Sequence, residues 1–250
     1  MRADGGDHDL TVALETQSLK KSFGGAMVIN NLSISVAQGE ALGIVGPNGA
    51  GKTTWFNLIT GAVRADAGHV IFGGRDITHL ARHERSRIGI GRTFQIPRPF
   101  TGMTVFENVM VGATRGRDMS ERASYAHCYD ILEWSGLLKK ANVLAGSLNL
   151  LDRKRLELAR AWATNPTVLL LDEIAGGLTE VEVEELIAEI KNLRKTGVTI
   201  LWIEHIVRAL QAVVDRIVVI NYGRELCEGD PHEVMSRPEV QACYMGGTPL

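Results

Sequence analysis

Gly46-Pro47-Asn48-Gly49-Ala50-Gly51-Lys52-Thr53 fits the pattern G-x4-G-K-[ST], and Thr54 follows directly. Small residues at these positions let consecutive backbone N–H groups curl around phosphate oxygens. A helix starting at the end of the loop adds the positive end of its dipole. In a loop of this kind Lys52 reaches the β- and γ-phosphates of a nucleotide, and the Thr53 hydroxyl is a magnesium ligand. A second chemical pair, Asp172-Glu173, ends the apolar run Val168–Leu171. A buried strand there delivers two carboxylates at its C-terminal end. Asp172 is placed to hold magnesium through water, and Glu173 to orient or deprotonate an attacking water. His205 follows another apolar run, Thr199–Ile203, one strand beyond the Asp-Glu pair, which sets it near a γ-phosphate. Gln95, in Arg92-Thr93-Phe94-Gln95, taken singly is a polar residue at a strand end.

Positioning these groups requires a sheet with its strand ends aligned. Ala41–Val45 has the composition of a buried strand that runs into the Gly-rich turn, and a helix is predicted from about Gly51 to Thr60. Val168–Leu171, Thr199–Ile203 and Arg216–Asn221 complete a set of core strands. Between two of them Val183, Leu186, Ile187, Ile190 and Leu193 mark one stripe of an amphipathic helix, opened by a Thr179/Glu182 capping box. Short apolar runs alternating with helical patterns define an α/β fold. Residues from about 96 to 165 differ, being helical without strand runs. Thr104 with Glu107 caps one helix there, and Glu121–Trp134 and Arg153–Ala163 form two more. That stretch is expected to be a helical subdomain inserted between core segments at about 10–95 and 166–250. Asn221-Tyr222-Gly223-Arg224 is a hairpin turn, and Asp230-Pro231-His232-Glu233 carries the signals of a helix start.

The bulk properties narrow the function classes. The 250 residues carry a formal net charge of −2, so no overall basic field draws the chain to nucleic acid or anionic lipid. Cys128, Cys227 and Cys243 lie far apart, with neither zinc spacing nor a disulfide framework, which suits a reducing cytosol. Met1 to Asp9 reads as a loose tail without the apolar core of a signal peptide. No apolar run approaches a bilayer span, so a membrane role would leave the spanning to another chain. His79 and His83, four apart with Arg82, Glu84 and Arg85 alongside, fit a solvated helix face better than a metal pair.

The order of P-loop, Gln95, helical insert, Asp172-Glu173 and His205 resembles the nucleotide-binding domain of ABC transporters over essentially the whole chain. The resemblance implies a mostly parallel core sheet, an antiparallel β subdomain, ATP and Mg2+ as ligands, and ATP hydrolysis coupled to transport. It implies that Gln95 senses magnesium and the transporter's coupling helix, and that His205 holds the γ-phosphate. Phe23, in Lys20-Lys21-Ser22-Phe23-Gly24-Gly25, falls where the family places an aromatic that stacks on adenine. The implied partners are transmembrane permease subunits, a second paralogous ATPase and, indirectly, a periplasmic or extracellular binding protein. The implied location is the cytoplasmic face of the membrane. Phe23-Gly24-Gly25, Arg92-Thr93-Phe94-Gln95, Thr104 to Val109 and Asn221-Tyr222-Gly223-Arg224 resemble the branched-chain (hydrophobic) amino-acid importer ATPases; the paralogous ATPase and amide or urea importers look similar.

The sequence departs from that family at one functional loop. Where the signature reads L-S-G-G-Q, this chain has Leu148-Asn149-Leu150-Leu151-Asp152. In the family the loop crosses a dimer interface to the partner's γ-phosphate. Here Asp152 is expected to cap its own helix and set a negative charge near a negative ligand, with Ser147 as a replacement hydroxyl. Ile174 replaces the usual Pro after the Glu, and Thr179 is a second small departure. The competing function is a nucleotide-binding regulatory subunit with weak hydrolysis. A soluble ABC ATPase of translation or repair would carry tandem domains or a coiled-coil insert. A GTPase would carry an Asn-Lys-x-Asp motif.

Overall fold

The computed structural model describes residues 11–116 and 120–244. The expected tail at 1–9 lies outside them. In the described chain, β1 (Val12–Phe23) and β2 (Ala26–Ala37) form a long hairpin, with β4 (Ala67–Phe72) on the other side of β1 and β5 (Arg75–Asp76) at the edge. All pairings in this four-stranded sheet are antiparallel.

The second sheet has six strands. They are β3 (Ala41–Val45), β6 (Ile90–Arg92), β7 (Val168–Asp172), β8 (Thr199–Ile203), β9 (Arg216–Asn221) and β10 (Arg224–Gly229), in the order β10-β9-β3-β8-β7-β6. All its pairings are parallel except the β9–β10 hairpin. Tyr222 (φ 47°) and Gly223 (φ 71°) turn that hairpin, as the Asn-Tyr-Gly-Arg sequence predicts. Strands β3, β7 and β8 are buried at every residue. That is why they read as continuous apolar runs instead of alternating ones. Alternate residues feed two cores. Leu169, Leu171, Ile200, Trp202, Ile217 and Val219 face one, and Leu42, Ile44, Leu170, Leu201, Ile203 and Val218 face the other.

The helices divide between those cores and a third. Helix α1 (Lys52–Ile59) buries Trp55, Phe56, Leu58 and Ile59 against the core that the antiparallel sheet also covers. Helix α2 (Arg82–Arg87) is short and precedes β6. Helix α6 (Glu180–Arg194) lays its Val183, Leu186, Ile187, Ile190 and Leu193 stripe on the opposite core, with the Thr179/Glu182 capping box in place. Helix α7 (Val207–Gln211) joins that core through Ala209 and Leu210, and α8 (Pro238–Tyr244) through Val240. Helices α3 (Val105–Gly116), α4 (Glu121–Trp134) and α5 (Leu150–Ala163) share a third apolar cluster of their own, including Val105, Val109, Ile131, Leu132 and Leu156. The Thr104–Glu107 box closes the start of α3.

Three local expectations are corrected. The third helix of this group begins at Leu150 instead of Arg153, because Asn149, and not Asp152, is its N-cap. Asp230-Pro231-His232-Glu233 forms a turn followed by one 3-10 turn, Val234–Ser236, and the α-helix waits until Pro238. Asp230 does accept from His232 N, but the helical path stops at Arg237, the residue before Pro238, whose extended backbone the proline favours. His79 lies before α2 while His83 lies within it, so the two do not share helical spacing.

Candidate functional site

The C-terminal ends of β3, β7 and β8 open onto one edge of the six-stranded sheet, where α/β folds bind ligands. The P-loop leaves β3 at Gly46 and enters α1 at Lys52. A Cβ at Gly46 would lie 2.0 Å from the Ile220 carbonyl oxygen, so no side chain fits there. Gly51, at φ +103°, is the N-cap of α1 and offers no capping side chain. The first N–H groups of α1 are therefore left for a ligand.

Asn48, Gly49, Ala50, Gly51, Lys52, Thr53, Thr54, Gln95 and Glu173 line one cavity of about 360 Å³ together with Val28. Lys52 Nζ donates to the carbonyls of Gly46 (2.6 Å) and Pro47 (3.0 Å). Burial lowers its pKa, while Glu173 and Asp172 pull it back up. An ammonium whose nearest partners are neutral carbonyls is available to an anion entering the loop.

Glu173 sits just past β7 with φ 46°, a left-handed conformation that a glutamate adopts only when its surroundings hold it there. Its N–H donates to Ile203 O at 2.9 Å, which ties it to β8. Gln95 Nε2 donates to Glu173 Oε2 at 2.5 Å, and His205 Nε2 lies 2.7 Å from Oε1. Gln95 and His205, 110 positions apart in sequence, therefore meet on one carboxylate. Asp172 lies behind Thr53, whose hydroxyl donates to Oδ1 over a long 3.5 Å. Thr53, Asp172 and Gln95 each carry a side-chain oxygen that could meet a metal, the donor type that suits a hard cation such as magnesium. Phe23 ends β1, half exposed and outside that cavity, with Lys21 Nζ 5.3 Å from its ring centre.

Sequence reading missed three side chains here. Arg92 forms a buried ion pair with Asp172 (2.8 Å) and also donates to Asn57 Oδ1 (2.6 Å). Burial raises the pKa of Asp172 and Arg92 counters it, whereas burial lowers that of Arg92 and Asp172 counters it. Glu204 is buried next to His205; its carboxylate accepts from His205 N (2.9 Å) and Ala175 N (3.0 Å) and so fixes the loops after β7 and β8 to each other. Burial pushes its pKa up. Lys154, buried on α5, feels the charges of Glu204 and Glu173, and burial lowers its pKa. Only the charge of these residues inside apolar neighbourhoods signals them, and a linear sequence does not display burial.

At the head of α5 the structure overturns an expectation. Asn149 Oδ1 accepts from Asp152 N at 2.8 Å, so Asn149 caps the helix. Asp152 occupies the first turn, is buried, and pairs with Lys140. Its charge is therefore neutralised within the chain instead of being presented bare. Ser147 Oγ donates to Leu144 O at 2.8 Å, so this hydroxyl is engaged in its own turn.

The protein-family model described as "ABC transporter" matches residues 29–176 of this chain. The chain belongs to the ABC transporter family and is one of its ATPase cassettes. Among the relatives, the high-affinity branched-chain amino acid transport ATP-binding protein LivG of Salmonella typhimurium is 38% identical over 252 residues, covering 93% of this chain and 97% of that protein. The lipopolysaccharide export system ATP-binding protein LptB of Acidithiobacillus ferridurans is 35% identical over 241 residues, covering 93% and 96%. The crystal structure of an ATP-binding cassette of an ABC transporter in its ADP conformation superposes with a TM-score of 0.87 at 33% identity, covering 94% of this chain and 99% of that one. No helix among the described residues is long and apolar enough to cross a membrane.

Proposed function

We propose that this chain hydrolyses ATP to energise an importer of branched-chain or other hydrophobic amino acids, from the cytoplasmic face of the membrane. The observation that carries the chemistry is Glu173, held between Gln95 and His205 in a strained backbone beside the P-loop. In this reading Gly46 to Thr54 wrap the phosphates, Lys52 turns from its loop carbonyls to the β- and γ-oxygens, and Phe23 stacks on adenine. Thr53, Asp172 and Gln95 hold Mg2+, which when bound neutralises charge on the transferred phosphoryl group. Glu173 takes the proton of the attacking water, and His205 orients Glu173 and holds the γ-phosphate. Strands and helices at about 10–95 and 166–250 act as the nucleotide-binding core, and residues at about 96–165 as the helical lobe.

The substrate assignment rests on likeness to LivG; LptB, of an export system, is nearly as similar, and stimulation by a loaded binding protein distinguishes import from export. The partners in this reading are permease subunits, a binding protein acting through them, and a paralogous second ATPase. The second ATPase is favoured by the head of α5, where Asn149, Ser147 and the Lys140–Asp152 pair occupy groups that the family's signature loop offers across a dimer. The same observation favours the alternative, a regulatory subunit with weak hydrolysis. Measuring turnover of the chain alone and then in vesicles with permease, paralogue and binding protein decides between them. The importer reading expects weak activity alone and stimulation by a binding protein loaded with a branched-chain amino acid. Turnover that stays at the basal level in the full complex establishes the regulatory reading.

A further inference from the structure

Arg92 ends β6 in register with Leu170, and its guanidinium is nearly enclosed, 7% exposed against 2% for the Asp172 side chain. Each terminal nitrogen of the fork has its own seat. One terminal nitrogen donates to Asp172 Oδ2 at 2.8 Å, and the other to Asn57 Oδ1 at 2.6 Å and, more weakly, to Thr60 Oγ1 at 3.4 Å. The rings of Phe56 and Phe94 lie 5.7 and 5.4 Å from the guanidinium carbon. Nε has no acceptor among the described residues. The two oxygens of Asp172 are thereby made unequal: Oδ2 is held by Arg92, and Oδ1 is on the Thr53 side. The same guanidinium and Phe94 wall a cleft with Arg82, Glu157 and Arg160, so one side chain stands between that cleft and the metal-side carboxylate.

We propose that Arg92 is a positioning residue for magnesium, acting by locking Asp172 so that Oδ1 stays turned to the Thr53 side. The inference rests on the reading of Asp172 as a magnesium-holding group. Two effects of the arginine oppose each other. Its fixed positive charge repels a cation by Coulomb's law. Its forked anchoring removes the rotational freedom of the carboxylate before the metal arrives, which favours binding. The arginine's charge is already paired with Asp172 Oδ2, and the separate anchors on Asn57 and both rings fix the fork, which makes the second effect the larger one. A lysine, a point charge without a fork, does not reproduce that seat.

The test is a titration of a fluorescent ADP analogue on the full chain, in EDTA and at a series of Mg2+ concentrations. Metal-free affinity is expected to change less than twofold in R92Q and R92K. The Mg2+ concentration that half-saturates the metal-dependent gain in affinity is expected to rise about tenfold in both. N57A keeps the arginine and its charge but removes one anchor, and is expected to raise it about threefold; it also reports if R92Q does not fold. Tighter magnesium in R92Q, or a wild-type value in R92K and N57A, overturns the proposal, since charge alone would then account for Arg92. D172N is the control for the underlying reading. If D172N leaves the magnesium requirement unchanged, Asp172 is not the metal-side group; if it raises the requirement while R92Q and R92K do not, only the role of Arg92 fails.

Discussion

Two helix starts in this chain, those of α1 and α5, have opposite designs. At α1 the N-cap is Gly51 in a left-handed conformation with no side chain to satisfy the first turn. At α5 the N-cap is Asn149, whose side chain takes the N–H of Asp152, and Asp152 adds an acid that complements the helix dipole. The first arrangement sacrifices local stability and leaves donors open to an anion. The second is what a helix does when its own stability comes first. A phosphate is therefore well received at one and poorly at the other, although both are N-termini of α-helices: the cap is left-handed at Gly51 and extended at Asn149.

The largest effects are expected at the open end. Glu173→Gln should preserve ATP binding and lower turnover in the assembled transporter by on the order of 10²-fold or more, since the amide cannot accept the proton. Equal turnover by mutant and parent in a phosphate-release assay would remove Glu173 from the chemistry. Lys52→Ala should weaken ATP binding by about tenfold to hundredfold, the worth of a charge-assisted hydrogen bond to phosphate. Isothermal titration of the two proteins reads this directly, and matched affinities would break the contrast at its stronger side.

At the closed end the effects should be on stability. Asn149→Ala removes the cap of α5 and should cost about 1 kcal/mol in denaturant unfolding, with the affinity for ATP at the chain's own P-loop unchanged. A loss of ATP affinity in that variant would mean that the two ends are coupled within one chain. Lys140→Ala leaves the buried Asp152 without its ion-pair partner; because the lysine itself is exposed and water can take its place, the cost should be about 1 kcal/mol, well short of that for breaking a fully buried pair. Ser147→Ala, which loses one hydrogen bond to Leu144 O, should stay within about 0.5 kcal/mol in the same unfolding assay. A large drop in transporter turnover for Ser147→Ala, with stability intact, would instead show that its hydroxyl serves the partner's site.

The core strands were legible because burial on both faces forces unbroken apolar runs: β3, β8 and β9 match their sequence-predicted bounds, and β7 extends one residue further. The P-loop was legible for a different reason, since glycine, lysine and threonine at fixed spacing encode a backbone shape directly. The Asn149 cap was missed although asparagine is among the favoured capping residues. Asp152, also a capping type, lies three residues further on, and only the tertiary structure decides between the two, with the helix starting at Leu150.

By itself, then, the sequence determined the loop that wraps phosphate, the strands that carry the carboxylates, and the polarity of α6, all set by neighbours within one turn or one strand. Only the tertiary structure decided that Gln95 and His205 converge on Glu173, that Glu204 joins the two loops beside them, and that Arg92 grips Asp172. Those contacts join strands β6, β7 and β8, far apart in sequence. Gln95 and His205 reach Glu173 from the exposed side. Burial is what gives weight to the charges of Arg92, Asp172 and Glu204: away from water each ion must find a partner, and the partner is chosen by the fold.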